Sequence, residues 1–100
     1  GDYNQAVDAF GDTKSNNAAL AQILTRNYNA ADITLKTIKN PDALTYYLMA
    51  VVGSRTNKFN DVMTNLRSAI TMDKTMAAKA LNDLEFAKYR TNQDFMTLLK

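Results

Sequence analysis

Cysteine and histidine are both absent from the 100 residues of this chain. Without cysteine there is no disulfide framework, no zinc–thiolate site and no thiol nucleophile. Without histidine the chain lacks the usual general base, the commonest metal ligand and every Ser–His or Cys–His arrangement. Proline occurs once and glycine three times. That is too few for an all-β sandwich, which needs turn residues every ~8–12 positions. Glutamate occurs once, as Glu85. Asp8 and Asp12 are spaced to share a helix face, but a calcium or magnesium site needs more oxygen ligands than two, in a looped geometry. No glycine-rich phosphate-cradling loop is present. Together these absences lead us to expect no enzyme, no catalytic residues, no metal and no cofactor. No apolar run approaches the roughly 18 residues of a membrane span. The N-terminus lacks the basic-then-apolar layout of a signal peptide.

What remains is a composition suited to helices. Apolar residues make up 46% of the chain, which argues against disorder. Alanine, leucine, methionine and lysine recur in runs without breakers, favouring helix. The length allows one domain. Twelve basic and ten acidic residues give a net charge of +2 and a pI near 8.9. No segment carries five or six like charges in a row, so the clustered basic face of a nucleic-acid binder is missing and no nucleic-acid partner is expected.

The chain repeats itself. Tyr3-Asn4, Tyr28-Asn29 and Phe59-Asn60 each pair an aromatic with asparagine, and seven residues after each aromatic stand Phe10, Leu35 and Leu66. Aromatic at i, small or apolar at i+3 and large apolar at i+7 share one helical face. The offsets are 28 − 3 = 25 and 59 − 28 = 31 residues, in the range of helical-hairpin solenoids. Asn40-Pro41-Asp42 reads as an N-cap, a proline at the first helical position and an early acid. A helix over about residues 41–56 is expected there, apolar over most of its circumference. Thr56-Asn57-Lys58 reads as a turn, and Val62, Met63, Leu66, Ala69 and Ile70 mark the stripe of the next helix.

Upstream, Ser15-Asn16-Asn17 is expected to cap a helix over residues 16–26, whose mate runs over 29–39. Downstream, Asp73 or Thr75 is expected to cap one long helix reaching Tyr89, with Ala77, Ala80, Leu81, Leu84 and Ala87 on one side. Thr91-Asn92 breaks it before a short terminal helix over 94–100. Residues 2–13 read as a second-helix motif with no first helix before it, predicting that the chain begins inside a longer array. The layout is therefore one all-α domain over 1–100: an orphan helix (2–13), a hairpin (15–39), a second hairpin (41–72) and a closing helix pair (74–100).

These residues resemble the tetratricopeptide repeat. That family sets a small residue where two helices cross and an aromatic after the turn, followed by Ala-x3-aromatic/Leu-x2-Ala. Ala50 matches the crossing residue and Phe59 the aromatic, with Val62, Leu66 and Ala69 in the outer-helix positions. In the copy before, Ala19, Tyr28, Ala31, Leu35 and Ile38 correspond; in the half-repeat, Tyr3, Ala6 and Phe10. The family's glycine before the aromatic is replaced by Arg26 and Asn57, its early tryptophan by Ser15 and Tyr46, and its closing proline survives only as Pro41. The chain is also similar to tetratricopeptide-like segments of bacterial envelope proteins, which implies a periplasmic or envelope setting.

The resemblance implies stacked antiparallel hairpins in a right-handed superhelix and a concave groove that takes a peptide or partner protein. Its implied groove positions are Tyr47, Leu48, Val51, Ser54 and Arg55, with Asn16, Asn17 and Leu20 in the copy before. Tyr46 is the expected core member of the tyrosine pair and Tyr47 the groove member. Leucine, valine and tyrosine predominate at these positions, so an apolar or mixed ligand is expected rather than a C-terminal carboxylate. A rigid spacer within a larger envelope protein is the other expectation.

Overall fold

Two helical hairpins open the fold. Helix α1 (Thr13–Leu24) pairs with α2 (Tyr28–Lys36), and α3 (Ala43–Arg55) pairs with α4 (Phe59–Met72). Helix α5 (Thr75–Asn82), a 3₁₀ helix (Leu84–Tyr89) and α6 (Gln93–Leu99) follow. This computed structural model describes residues 13–100, with side chains from Ser15 onward. Most of the expected orphan helix, with Tyr3, Ala6, Asp8, Phe10 and Asp12, lies outside the described residues. Among the described residues the fold is all-helical, without strands, and extends 48 × 27 × 19 Å.

The two hairpin turns are built alike. Arg26 and Asn57 adopt left-handed φ values of 64° and 60°. Around Arg26, the Arg26 N–H reaches Ile23 O at 2.9 Å and the Asn27 N–H reaches Gln22 O at 2.7 Å. Around Asn57, the Asn57 N–H reaches Ser54 O at 3.2 Å and the Lys58 N–H reaches Gly53 O at 2.8 Å. Both are Schellman closures, which satisfy the carbonyls left over at a helix end. The turns lie 57 − 26 = 31 residues apart, the spacing of Tyr28 and Phe59. Ala19 and Ala50, Ala31 and Val62, Leu35 and Leu66, and Ile38 and Ala69 share that offset, and all are buried.

Helix α3 begins later than its sequence suggests. The N-cap is Asp42, not Asn40, and Pro41 stands outside the helix. Asp42 Oδ1 accepts the Thr45 N–H at 2.9 Å while Thr45 Oγ1 accepts the Asp42 N–H at 3.1 Å. This capping box satisfies two donors reciprocally, which neither Asn40 nor Pro41 could arrange from outside. Helix α1 is already helical at Thr13, earlier than expected, so that Ser15, Asn16 and Asn17 lie inside it rather than capping it.

The expected long helix to Tyr89 is broken at Asp83. Asp83 is extended (ψ 124°), and its Oδ1 accepts the Glu85 N–H at 2.9 Å, opening the 3₁₀ turn. The break rotates the chain so that Phe86 is buried and Leu84 is left 82% exposed. A continuous helix would have placed Leu84 on the apolar stripe, but burying a phenyl ring removes more apolar area from water than burying leucine.

Helices α3 and α4 cross closely through small residues. Ala50 is buried, and a Cβ on Gly53 would stand 3.2 Å from both Asp61 Cβ and Val62 N. Ala50→Leu is expected to overpack this crossing and destabilise by roughly 1–3 kcal/mol in a thermal or denaturant melt; a variant as stable as the parent would place the crossing elsewhere. Arg26→Gly relieves a left-handed cost of about 1–2 kcal/mol against a backbone-entropy penalty of about 0.5–1 kcal/mol. The expected result in the same melt is a net gain of about 0.5–1 kcal/mol.

Candidate functional site

Helix α3 is the centre of the candidate surface because it is apolar nearly all round. Thr45, Tyr47, Leu48, Val51 and Ser54 are all buried, whereas Arg55 is exposed. The expected roles of the tyrosine pair are reversed: Tyr47 is 2% exposed and Tyr46 half-buried. A one-residue step turns a helical position by about 100°, and here Tyr47 faces inward because the 3₁₀ helix folds over it.

The contacts of that segment are specific. The Tyr47 hydroxyl donates to Asp83 Oδ2 at 2.6 Å, and the Tyr47 and Phe86 rings meet edge to face, centroids 5.6 Å apart. Ser54 Oγ donates to the Glu85 carbonyl at 3.0 Å. Arg55 forms a two-pronged ion pair with Glu85: Nε pairs with Oε1, and Nη2 lies 3.0 Å from Oε2. Its Nη1 donates to the Tyr28 hydroxyl at 3.2 Å. Lys88 Nζ donates to Ser54 O at 2.8 Å and Asn57 Oδ1 at 3.0 Å. Behind Phe86 the aromatic contacts continue to Phe95, Tyr89 and Phe59, with centroid spacings of 6.1, 5.7 and 5.2 Å.

The local charges follow from this packing. Burial pushes the Tyr47 hydroxyl far above the usual tyrosine range, helped by its bond to Asp83 and by the negative charges of Asp83 and Glu85. Lys79 Nζ stands 5.4 Å from the Tyr47 ring centroid, a cation–π arrangement. Shallow clefts flank exposed Leu84. One includes Arg55, Glu85 and Lys88 in its lining, the other Lys79, Asn82 and Asp83.

The expected set on α1 divides. Asn16 is buried: its Nδ2 donates to Asp42 Oδ1 at 3.2 Å and its Oδ1 lies 2.9 Å from Thr45 Oγ1. Asn16 therefore ties α1 to the start of α3. Asn17 and Leu20 are exposed, Leu20 to 42%, and Leu24 one turn further on to 71%.

The structure thus joins Tyr47, Ser54 and Arg55 through residues 83–88 and leaves Asn17 and Leu20 apart from them. Sequence reasoning missed Asp83, Phe86 and Lys88 as partners of α3. The available signal was Asn82-Asp83, a capping pair inside the expected helix, with Phe86 lying off that helix's apolar stripe. Among the described residues no group of acidic side chains has metal-site geometry, and no helix is long and apolar enough to cross a membrane.

Asn16→Ala leaves buried Thr45 and the Asp42 cap short of a partner. A loss of about 1–3 kcal/mol is expected on a urea titration, and no loss would mean that water replaces the amide. The Tyr47 shift sets a pH dependence. Because the folded state raises this group's pKa, its stabilising contribution is complete below the unfolded value of about 10 and is lost as pH rises above it. Tyr47→Phe is therefore expected to flatten the alkaline side of the stability–pH curve, and identical alkaline limbs would contradict the buried Tyr47–Asp83 bond.

Comparison of the chain with protein-family models, with curated proteins and with solved structures finds no match in any of the three.

Proposed function

We propose that this chain is a protein-interaction scaffold of the tetratricopeptide kind, whose stacked hairpins form a right-handed array and offer a helical surface to a peptide or partner protein. The supporting observation is the register of the two first helices. Leu20 and Leu24 on α1 stand 31 residues before Val51 and Arg55 on α3. Val51 is buried and Arg55 holds Glu85, whereas Leu20 and Leu24 remain largely exposed. The α1 positions are thus open counterparts of positions that the chain fills for itself on α3. Two exposed leucines one turn apart form an apolar strip suited to an apolar or mixed ligand. No catalytic chemistry, cofactor or nucleic acid enters this reading.

A spacer within a larger envelope protein is the second reading. It draws support from the elongated 48 × 27 × 19 Å body and from the α3 face being occupied by the chain's own residues.

The two readings separate in a crosslinking capture from the native source, comparing the parent with Leu20→Asp/Leu24→Asp. Circular dichroism first establishes that the variant is folded. A partner captured by the parent and lost from the variant is the expected result. Capture that survives would move the binding surface off α1, and no capture by either protein would favour the spacer.

A further inference from the structure

We propose that residues 83–90 act as a strap lying on α3 as an internal ligand, and that lifting it opens this face to a short acidic–aromatic peptide of another chain. The proposal deepens the interaction-scaffold reading and rests on it.

The contacts of the strap spell out a chemical pattern. Tyr47 donates to the carboxylate of Asp83 at 2.6 Å, and Arg55 clasps the carboxylate of Glu85 two residues on. Ser54 reads the main chain between them and the ring, donating to the Glu85 carbonyl at 3.0 Å. The Phe86 ring then sits edge-on against Tyr47. An acid, any residue, an acid and an aromatic are recognised in order, here Asp83-Leu84-Glu85-Phe86. The third residue supplies two of these contacts, through its side chain and its carbonyl. Leu84, in the unread second place, points to solvent at 82% exposure. The reading groups all stand on α3, which is held independently by its crossing with α4 and by the Asn16–Asp42–Thr45 network.

The strap's attachment is weaker than that of the hairpins. It hangs from α5, eight residues long and shorter than any hairpin helix, through the extended Asp83. Its own backbone is 3₁₀, whose hydrogen bonds have poorer geometry than those of an α-helix. The Arg55–Glu85 pair stands at its edge, where the arginine is open to solvent and salt screens what the pair contributes. Segments with these properties open below the global unfolding free energy. The deepest hold on the strap is Phe86, packed with Tyr47 and Phe95; Tyr89 against Phe59 and the Lys88 bonds to Ser54 and Asn57 secure its far end. A competing peptide must therefore bring an aromatic as well as its acids.

The test uses the whole chain and the blocked peptide acetyl-Asn-Asp-Leu-Glu-Phe-Ala-Lys-Tyr-amide as probe. Native-state amide exchange is expected to show Phe86 and the α6 amides opening while those of α3 and α4 stay protected. Excess peptide is expected to speed that opening. Glu85→Gln weakens the strap but leaves the α3 face intact, so the labelled peptide should bind it about fivefold more tightly than it binds the parent. A peptide with Asn and Gln in place of its two acids should bind both proteins more weakly than the acidic peptide does. Exchange of strap and hairpins only in one common unfolding event would overturn the proposal, as would equal affinity for parent and Glu85→Gln. Either result leaves the reading at Leu20 and Leu24 standing, because that reading is tested separately by the capture experiment.

Discussion

Helix α3 has little surface that it can give to water, and the rest of the architecture answers that constraint. Eight of its thirteen residues are buried, so a single partner helix would leave it partly uncovered. Its small residues Ala50 and Gly53 admit α4 closely, and α2 packs on it as well. The side carrying Tyr47 and Ser54 still needs a cover, which residues 83–88 supply. A helix that is apolar nearly all round is stable in water only when enclosed in this way. The break in the C-terminal helix follows from the same need. Asp83 spends helical continuity to deliver Phe86, and the ring is buried where Leu84 could not reach.

The polar groups at this centre are few and each is matched. Thr45, Asn16 and Ser54 are buried, but each bonds a group on another segment, and no buried side-chain donor or acceptor among the described residues lacks a partner. Such bonds contribute modestly when made and cost more when broken, so their main effect is to fix register. Asn16 aligns α1 with the start of α3, and Ser54 aligns α3 with the strap. The ion pair of Arg55 and Glu85 adds direction at the edge of the same contact.

The hairpins were legible because their signals are local. An aromatic after the turn, apolar residues at i+3 and i+7, and polar turn residues all act within one or two helical turns of the chain. The 31-residue spacing read from Tyr28 and Phe59 reappears in the paired left-handed residues Arg26 and Asn57. Where the family resembled here has glycine, a Schellman closure demands the left-handed conformation from whatever residue stands there, and arginine and asparagine accept it at a cost. The candidate surface was only half legible. Tyr47, Ser54 and Arg55 were recognised as a face of α3, but their hydrogen-bond partners there lie 30 to 36 residues further along the chain.

Helical class, hairpin pairing and the position of each turn were therefore set by the sequence alone, since hydrophobic period and turn chemistry are properties of neighbouring residues. Which tyrosine of the Tyr46–Tyr47 pair turns inward, where the C-terminal helix breaks and whether the α3 face stays open were decided only by the tertiary structure. Each depends on competition between side chains far apart in the chain for the same buried space. The local pattern favoured Leu84 over Phe86 and Tyr46 over Tyr47; packing reversed both, because the Tyr47 and Phe86 rings could meet each other once Asp83 left the helix.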